Sequence, residues 1–332
     1  MNAKIAGEGA ERLEDTDDAV APAANWASLR SFEVQINKTS KVTAPLYANG
    51  KQQCPVEVVV DARDENGVQV TLTQQQLKGI KLIGYNTSGE IWSSLDKDER
   101  FIYDFPVTRE DGVDVPVPTS AEQPEINNQS ITRYIVTTEM HAHWVAAEII
   151  SPSGAVYRTN TGEGAPGSGK FDSWVKVQPR EGLRYGVHDI DFSKVNESNS
   201  PFDVDLYYVK FKSQHGNLRI VASDDLTWEE DYYCHMSHSM MSYNQVVYEY
   251  GPSREVSFVA GHGVVQRFRV NKVEGQATLA RVSMSFFYAP GGEFYRPKDM
   301  QYFNQHGNVI RLQFYTTDGA NTISVRDFGT RD

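Results

Sequence analysis

Short segments in which apolar and polar residues alternate run through most of this chain, and they constrain its fold more than any other feature. FEVQI at 32–36, VEVVVDA at 56–62 and VQVTL at 68–72 are examples. Because successive side chains of a strand point to opposite faces, this alternation predicts strands with one buried face. Turn residues separate the segments about every 10–15 residues, which is typical of an all-β sandwich.

The stretch PLYANGKQQCPVEVVVDARDENGVQVTLT, residues 45–73, contains the clearest hairpin signal. Asn66 and Gly67 separate an apolar strand from the alternating segment VQVTL, and both residue types tolerate the positive φ that tight turns need. A second Asn-Gly pair, Asn49–Gly50, precedes the first strand. The stretch resembles bacterial Ig-like modules over about 30 residues, and this resemblance implies a fold class without implying a function.

Length and composition divide the chain into four parts. It has 332 residues, more than most single domains hold, and 39% of them are hydrophobic, which is enough for sizeable cores. We predict an all-β fold of two β-sandwich domains, an Ig-like sandwich at 31–106 and a larger jelly-roll-like sandwich at 125–332, with one short helix. The acidic segment 1–30 is predicted to be a flexible or subunit-wrapping arm, and segment 107–124 a linker.

Charge and hydropathy argue against several kinds of partner. The net charge is −12, with 44 acidic against 32 basic residues, and such a surface repels nucleic-acid phosphates and anionic lipids. No window approaches the roughly 20 apolar residues of a membrane-spanning helix. The N-terminal residues lack the apolar run of a signal peptide, so we expect synthesis in the cytoplasm. The final location is left open, with a virion or an extracellular assembly as the candidates.

The stretch YYCHMSHSMMSY, residues 232–243, concentrates soft metal ligands. Apolar residues spaced three or four apart, with a capping box at Thr227 and Glu230, predict a short helix at 228–241. The candidate metal ligands are Cys234, His238 and Met241. The candidate interface residues, which would form one side of the helix, are Trp228, Tyr232, Met236, Met240 and Tyr243. Packing is favoured over metal binding because methionine also fills irregular core gaps and adaptable interfaces.

Two other features could carry metal or redox chemistry. Cys54 and Cys234 could form one disulfide, but two cysteines make no disulfide framework, so buried, reduced thiols are expected. His141 and His143 lie two apart, so on a strand they would face the same side and could chelate one metal ion with Glu139 or Glu148. Histidines on a half-exposed strand face are the favoured interpretation.

Two further patterns approach known binding motifs. GAPGSGKF, 164–171, comes close to a Walker A loop, but Phe171 stands where a magnesium-binding Ser or Thr is needed, and a strand-like segment follows. HDIDF at 188–192 and FDVDL at 202–206 each place two aspartates on one strand face. Pairing of these strands could crowd four carboxylates into a calcium site, although a solvated sheet face is favoured. No cofactor is predicted.

The sequence favours a non-enzymatic structural or interaction protein, since strand content is high and no catalytic motif is recognisable. Such a protein would form a homo-oligomer or bind partner proteins, as a virion, filament or injection-system component. One alternative is a β-rich toxin, pore-forming or insecticidal, released without a secretory signal. Another is a carbohydrate-binding jelly-roll protein that uses some of the 17 tyrosines and five tryptophans as stacking platforms.

Overall fold

A computed structural model of the chain describes residues 25–115, 129–161, 171–226, 232–238, 241–259, 263–285 and 294–329. Within these residues the chain forms 26 strands, one α-helix and two 3-10 turns. The fold is therefore nearly all β and is built from several sheets, which confirms the predicted class. The Ig-like and jelly-roll details stay predictions.

The first half of the described chain contains 13 strands and the single described α-helix. The helix α1 spans Gln74–Lys78. The strands are β1 (Ser28–Gln35), β2 (Val42–Tyr47), β3 (Cys54–Arg63), β4 (Gln69–Val70), β5 (Lys81–Gly84), β6 (Val107–Arg109), β7 (Asp114–Val115), β8 (Gln129–Ile135), β9 (His143–Ile150), β10 (Val156–Arg158), β11 (Asn160–Thr161), β12 (Phe171–Asp172) and β13 (Val175–Arg180).

The second half contains the other 13 strands and two 3-10 turns, Val187–Asp189 and Ser213–His215. The strands are β14 (Arg184–Tyr185), β15 (Ile190–Ser198), β16 (Asp203–Phe211), β17 (Ile220–Asp225), β18 (Tyr232–His238), β19 (Met241–Val247), β20 (Arg254–Val259), β21 (Val265–Val270), β22 (Ala277–Ser285), β23 (Phe294–Tyr295), β24 (Lys298–Asn304), β25 (Val309–Thr317) and β26 (Thr322–Asp327).

Two sheets, here called the N-terminal sheets, enclose the first core. In the four-stranded sheet, β3 pairs with β1 on one side and with β4 and β8 on the other. The seven-stranded sheet has the order β10-β9-β13-β2-β6-β7, with β5 also paired to β9. Alternate residues of β3, among them Val56, Val58 and Val60, are completely buried. This period-2 burial is what the VEVVVDA pattern predicts for a strand with one face on a core.

The predicted hairpin at the Asn-Gly turn is confirmed. β3 and β4 pair antiparallel, with Ala62 opposite Val70. The Asp64 N–H donates to the Val68 carbonyl at 2.9 Å, and Gly67 adopts a φ of +78°. A glycine fits here because a side chain at this φ would strain the backbone.

The N-terminal core contains residues from both predicted domains. Residues from Trp26 to Val177 contribute to a single N-terminal core, although residues from 125 onwards were assigned to the second sandwich. The predicted linker, 107–124, begins with β6 and β7, which form a hairpin beside β2, and its residues 116–124 lie outside the described part. The alternation of apolar and polar residues locates strands but not their partners, so it could not show that these strands share one core. The domain boundaries themselves stay a prediction.

The end of the predicted arm belongs to the first core. Residues 1–24 lie outside the described part of the chain, but Trp26 is 2% exposed and β1 begins at Ser28. The ring of Trp26 lies 5.4 Å from that of Tyr157, whose hydroxyl donates to the Ala27 carbonyl at 2.8 Å. The segment from Trp26 onwards is therefore held by ring packing and backbone pairing.

The second half of the structure forms three layers, here called the C-terminal sheets. The six-stranded sheet, β15-β16-β22-β19-β18-β23, is the middle layer. One face packs on the five-stranded sheet, β14-β25-β24-β17 with β26 paired to β25, and the other face packs on the two-stranded sheet β20-β21. In β22 every residue except the last is buried. Burial on both faces explains why ATLARVSM contains few charges.

The predicted helix at 228–241 is wrong. The described residues of this stretch form β18 and the first residue of β19, which pair antiparallel with Met236 opposite Tyr243. β19 also pairs with β22 along its whole length, and sheet pairing there overrides the helical spacing of the apolar residues. The one short helix of the described chain is α1 instead. Thr73 caps it, because its Oγ1 accepts a hydrogen bond from the Gln76 N–H at 3.2 Å.

A buried ion pair sits inside the middle sheet. Arg281 of β22 lies directly opposite Asp205 of β16, and their side chains are 6% and 3% exposed. Arg281 also donates to Asp203 at 2.8 Å, and Lys194 Nζ donates to Asp205 at 3.1 Å. The Asp205 carboxylate meets little water, so the cations around it must offset the free-energy cost of burying its charge.

Replacement of Trp26 tests whether the end of the predicted arm is structural. We expect Trp26→Ala to lower the free energy of unfolding by about 3–5 kcal/mol, because a buried indole leaves a cavity. Trp92→Ala is the matched control, since Trp92 is 67% exposed and its removal should change stability by less than about 0.5 kcal/mol. Urea denaturation followed by circular dichroism measures both. Equal values for the two variants would show that Trp26 is not a core residue.

Replacement of Asp205 tests the buried ion pair. We expect Asp205→Asn to cost about 3–5 kcal/mol of stability, because Arg281 loses its buried anionic partner and keeps only the partly exposed Asp203. The control is Glu99→Gln, which breaks an exposed pair with Lys97 and should cost less than about 1 kcal/mol. The same denaturation experiment compares the two variants. A cost below about 1 kcal/mol for Asp205→Asn would show that the buried Asp205–Arg281 pair does not stabilise the fold.

Candidate functional site

The loop 136–142, which joins β8 to β9, carries the chemically richest exposed cluster of the described chain. Glu139, His141 and His143 lie two residues apart along the chain, and the backbone bends at His141 just before β9 begins at His143. One ligand atom from each lies within 4.8 Å of the others. His141 Nε2 is 3.2 Å from Glu139 Oε2, and the two imidazole rings are 4.3 Å apart. These three side chains are called the Glu-His-His cluster.

Neighbouring backbone holds the loop in this conformation. The Glu139 N–H donates to Thr137 Oγ1 at 3.0 Å, and the Gly50 N–H donates to the Thr137 carbonyl at 3.0 Å. Gly50 has a φ of +68°, and a Cβ there would meet the Thr138 methyl group at 3.0 Å. A glycine is therefore required under the loop. His143 begins β9 and pairs with Val177 of β13, which anchors the other end.

Burial and a neighbouring ring lower the pKa of His143 and so favour its neutral form. Partial burial lowers the pKa of its imidazole, and a positive charge on His141 lowers it further, while the Glu139 carboxylate acts in the opposite direction. The uncharged ring is the form that can ligate a metal ion or accept a hydrogen bond. Glu139 and His141 are both more than half exposed, so the cluster is open to solvent on one side.

The loop separates two surface grooves. The first, here called the Trp92 groove, has a volume of about 510 Å³; its lining includes Glu90, Ile91, Trp92, Glu139 and His143. The second has a volume of about 430 Å³ and lies between the N-terminal and C-terminal sheets, with Asn49, Met140, Arg184, Asn308 and Arg311 among its lining residues. Thr138 lines both grooves, so the loop forms the ridge between them.

The side chain of Trp92 is exposed, but the backbone on both sides of it is anchored. Its exposed fraction is 67%. The Ile91 N–H donates to the Leu82 carbonyl at 2.8 Å, and Ser94 exchanges two backbone hydrogen bonds with Tyr134, at 2.8 and 2.9 Å. The indole is therefore presented to solvent from a fixed position. Nothing in the alternation of the sequence distinguished this tryptophan from the other four.

The predicted metal ligands Cys234, His238 and Met241 do not converge. Cys234 is completely buried in β18 opposite Gln245, whereas Met241 is partly exposed at the far end of the hairpin, opposite His238. Four residues of strand separate the Cα atoms of Cys234 and His238 by about 13 Å. Cys234 therefore lies too far along the strand to share one ion with the other two.

Two of the predicted interface residues pack inside the molecule. Met236 and Tyr243 are half-buried cross-strand neighbours that contact the C-terminal core. Tyr232 lies on β18, but its side chain is outside the described part of the chain, as are Trp228 and Met240 altogether. Their role at an interface stays a prediction.

The aspartate-bearing strands pair, but their carboxylates do not form a four-carboxylate cluster. In the antiparallel register of β15 and β16, Asp191 lies opposite Lys210, and Asp205 lies opposite Asn196 at the other end. Asp203 and Asp205 bind Arg281 instead of a shared cation. The FDVDL prediction is confirmed by β16, whereas His188 and Asp189 lie in a 3-10 turn, so only Asp191 of the first pair is on β15. The register depends on the burial of the opposite face.

Comparisons with known proteins show only weak likenesses. No protein-family model matches the sequence, and no curated protein matches it. The adhesin InvE from Yersinia pseudotuberculosis aligns over 90% of this chain and 60% of its own, with 10% identity and a TM-score of 0.18. The collagen-binding domain of the surface protein RspB from Erysipelothrix rhusiopathiae aligns over 91% of this chain and 94% of its own, with 10% identity and a TM-score of 0.14.

These likenesses carry no argument about function, because both TM-scores and identities are low. This chain also spans only about 60% of the length of the InvE structure.

Among the described residues, no helix is long and apolar enough to cross a membrane.

Both cysteines are expected to be unreactive in the folded protein. Cys54 and Cys234 are free and completely buried, and burial raises the pKa of each thiol to about 12. At pH 8 such a thiol is roughly 10⁻⁴ ionised, and the thiolate is the form that reacts. We expect no alkylation by iodoacetamide at pH 8 in native buffer, and two alkylated sites in guanidinium chloride, counted by mass spectrometry. Rapid native labelling of Cys234 would place it outside the core.

Proposed function

We propose that this chain is a non-enzymatic interaction protein that binds a partner protein through the Trp92 groove and the adjoining loop 136–142. The observation that carries the proposal is the exposed indole of Trp92 on an anchored backbone beside a groove of about 510 Å³. Tryptophan is enriched among the few residues that supply most of the energy of protein–protein binding.

The fixed backbone around Trp92 supports this role. A backbone that is already ordered loses less conformational freedom on binding, and more of the contact energy then appears as affinity. Met140, which is 57% exposed on the ridge, adds a second apolar side chain. Methionine adapts its shape to different surfaces, which suits a contact residue beside a rigid indole.

The charges around the apolar residues also fit an interface. Glu90 and Glu139 line the Trp92 groove, and Arg184 and Arg311 line the second groove. Typical interfaces combine an apolar centre with a polar rim that directs orientation. Because the chain as a whole carries a charge of −12, we expect a partner whose contact surface is not strongly acidic.

Carbohydrate binding is a second candidate function, and the same groove favours it. Trp92 could stack on a sugar ring, with the carboxylates of Glu90 and Glu139 in the same lining to accept hydrogen bonds from hydroxyl groups. Screening on a glycan array distinguishes this candidate. Binding of a glycan that Trp92→Ala abolishes would favour it over a protein partner.

Photo-crosslinking at position 92 tests the proposed interface. We expect a benzoyl-phenylalanine at this position to form a covalent adduct with a protein when cells that produce the chain are irradiated, because the side chain would lie inside the contact. Mass spectrometry identifies the adduct. An adduct of twice the mass of the chain would show that the partner is a second copy, as the predicted homo-oligomer requires.

The control is the same photoreactive residue at Val68, which is 60% exposed in the β3–β4 turn and lines neither groove. An adduct at position 92 but not at position 68 supports the proposal. Equal labelling at both positions, or no protein adduct at position 92, argues against an interface here.

A further inference from the structure

We propose that Glu139, His141 and His143 bind one divalent transition-metal ion of the Zn²⁺ class at the edge of the Trp92 groove. The three residues form the sequence E-x-H-x-H at the entry to β9, and one potential ligand atom of each lies within 4.8 Å of the others. Two imidazoles and a carboxylate are a ligand set that zinc sites with three protein ligands use. The inference is independent of the proposed protein interface.

The distances suit a single small ion. When four ligand atoms surround zinc at 2.0–2.1 Å in a tetrahedron, neighbouring ligand atoms lie roughly 3.3 Å apart. Glu139 Oε2 and His141 Nε2 already lie 3.2 Å apart. The remaining separations are at most 4.8 Å, so we expect rotation of the exposed Glu139 and His141 side chains to bring the three atoms to bonding distance.

The chemistry of the ligands suits a late first-row metal better than calcium or magnesium. Imidazole nitrogen binds Zn²⁺, Cu²⁺ and Ni²⁺ well, whereas Ca²⁺ and Mg²⁺ take oxygen ligands. The Glu139 carboxylate offsets part of the charge of the ion, whereas Glu90 of the same groove is paired with Lys81 at 2.9 Å.

The cluster contributes little to folding, which makes it a clean target for mutation. Glu139 and His141 are 62% and 64% exposed at their side chains, and an ion pair that exposed stabilises a protein by less than about 1 kcal/mol. The backbone of the loop is held by Thr137 and Gly50, not by the cluster. Variants of the three side chains should therefore keep the fold.

Three protein ligands leave at least one position on the ion for another group. Because the cluster faces solvent, this position would hold water or a side chain from a bound molecule. His143 lines the Trp92 groove, so the ion would stand at the edge of that surface.

Calorimetric titration with ZnCl₂ tests the site. The protein is prepared without a histidine tag and treated with a chelator that is then removed. We expect one Zn²⁺ per chain, and we expect Glu139→Gln, His141→Ala and His143→Ala each to weaken binding by more than the roughly 10–100-fold that loss of an outer-sphere partner costs. The controls His188→Ala and Glu110→Gln change exposed residues outside the cluster and should bind as the wild type does. Circular dichroism verifies that every variant is folded.

The absorption spectrum of the Co²⁺-substituted protein distinguishes this site from one that includes Cys234. With nitrogen and oxygen ligands, the spectrum should show ligand-field bands without the near-ultraviolet charge-transfer band of a cobalt thiolate. Loss of these bands in His143→Ala would support the proposal. Absence of stoichiometric Zn²⁺ binding, binding that the three cluster variants leave unchanged, or a thiolate band would each overturn it.

Discussion

The parallel pairing of β13 with β2 is the contact on which the rest of the architecture depends. It places Val175 beside Val42 and inserts a late segment of the chain between β2 and β9. A few residues further on, Arg184 of β14 pairs in parallel with Val309 of β25. One short segment thus belongs to sheets in both halves of the molecule. Pairing between positions so distant in sequence costs loop-closure entropy, which the burial of both sheet faces must offset.

This segment also determines where the exposed site lies. Since β9 pairs with β13, the loop that enters β9 is held beside the turn at Asn49 and Gly50. The Asn49 side chain donates to the His306 carbonyl at 2.9 Å, and the Leu183 N–H donates to Asn308 Oδ1 at 2.9 Å, so the same turn contacts the C-terminal sheets. This arrangement places one groove on each side of loop 136–142, which carries the Glu-His-His cluster.

Local sequence patterns predicted local structure well where the structure was decided locally. The β3–β4 hairpin formed at Gly67 as its turn chemistry required, and both cysteines are buried and free. The stretch around Cys234 was predicted wrongly because Met236 and Tyr243 satisfy a helical spacing as well as a cross-strand pair. A capping box of Thr73 with Gln76 begins the helix that does form. Propensities are weak, so the pairing of β19 with β22 decided the outcome.

The sequence by itself determined most of the strands and the β3–β4 turn, because an alternation with a period of two and a tight turn depend only on neighbouring residues. Only the tertiary structure decided which strands are partners, why Arg281 meets Asp205, and why Trp92 stands exposed above a groove. These features depend on burial and hydrogen bonding between segments that are far apart along the chain. An alternating pattern is compatible with many partners and registers, and the packing of both faces selects one of them.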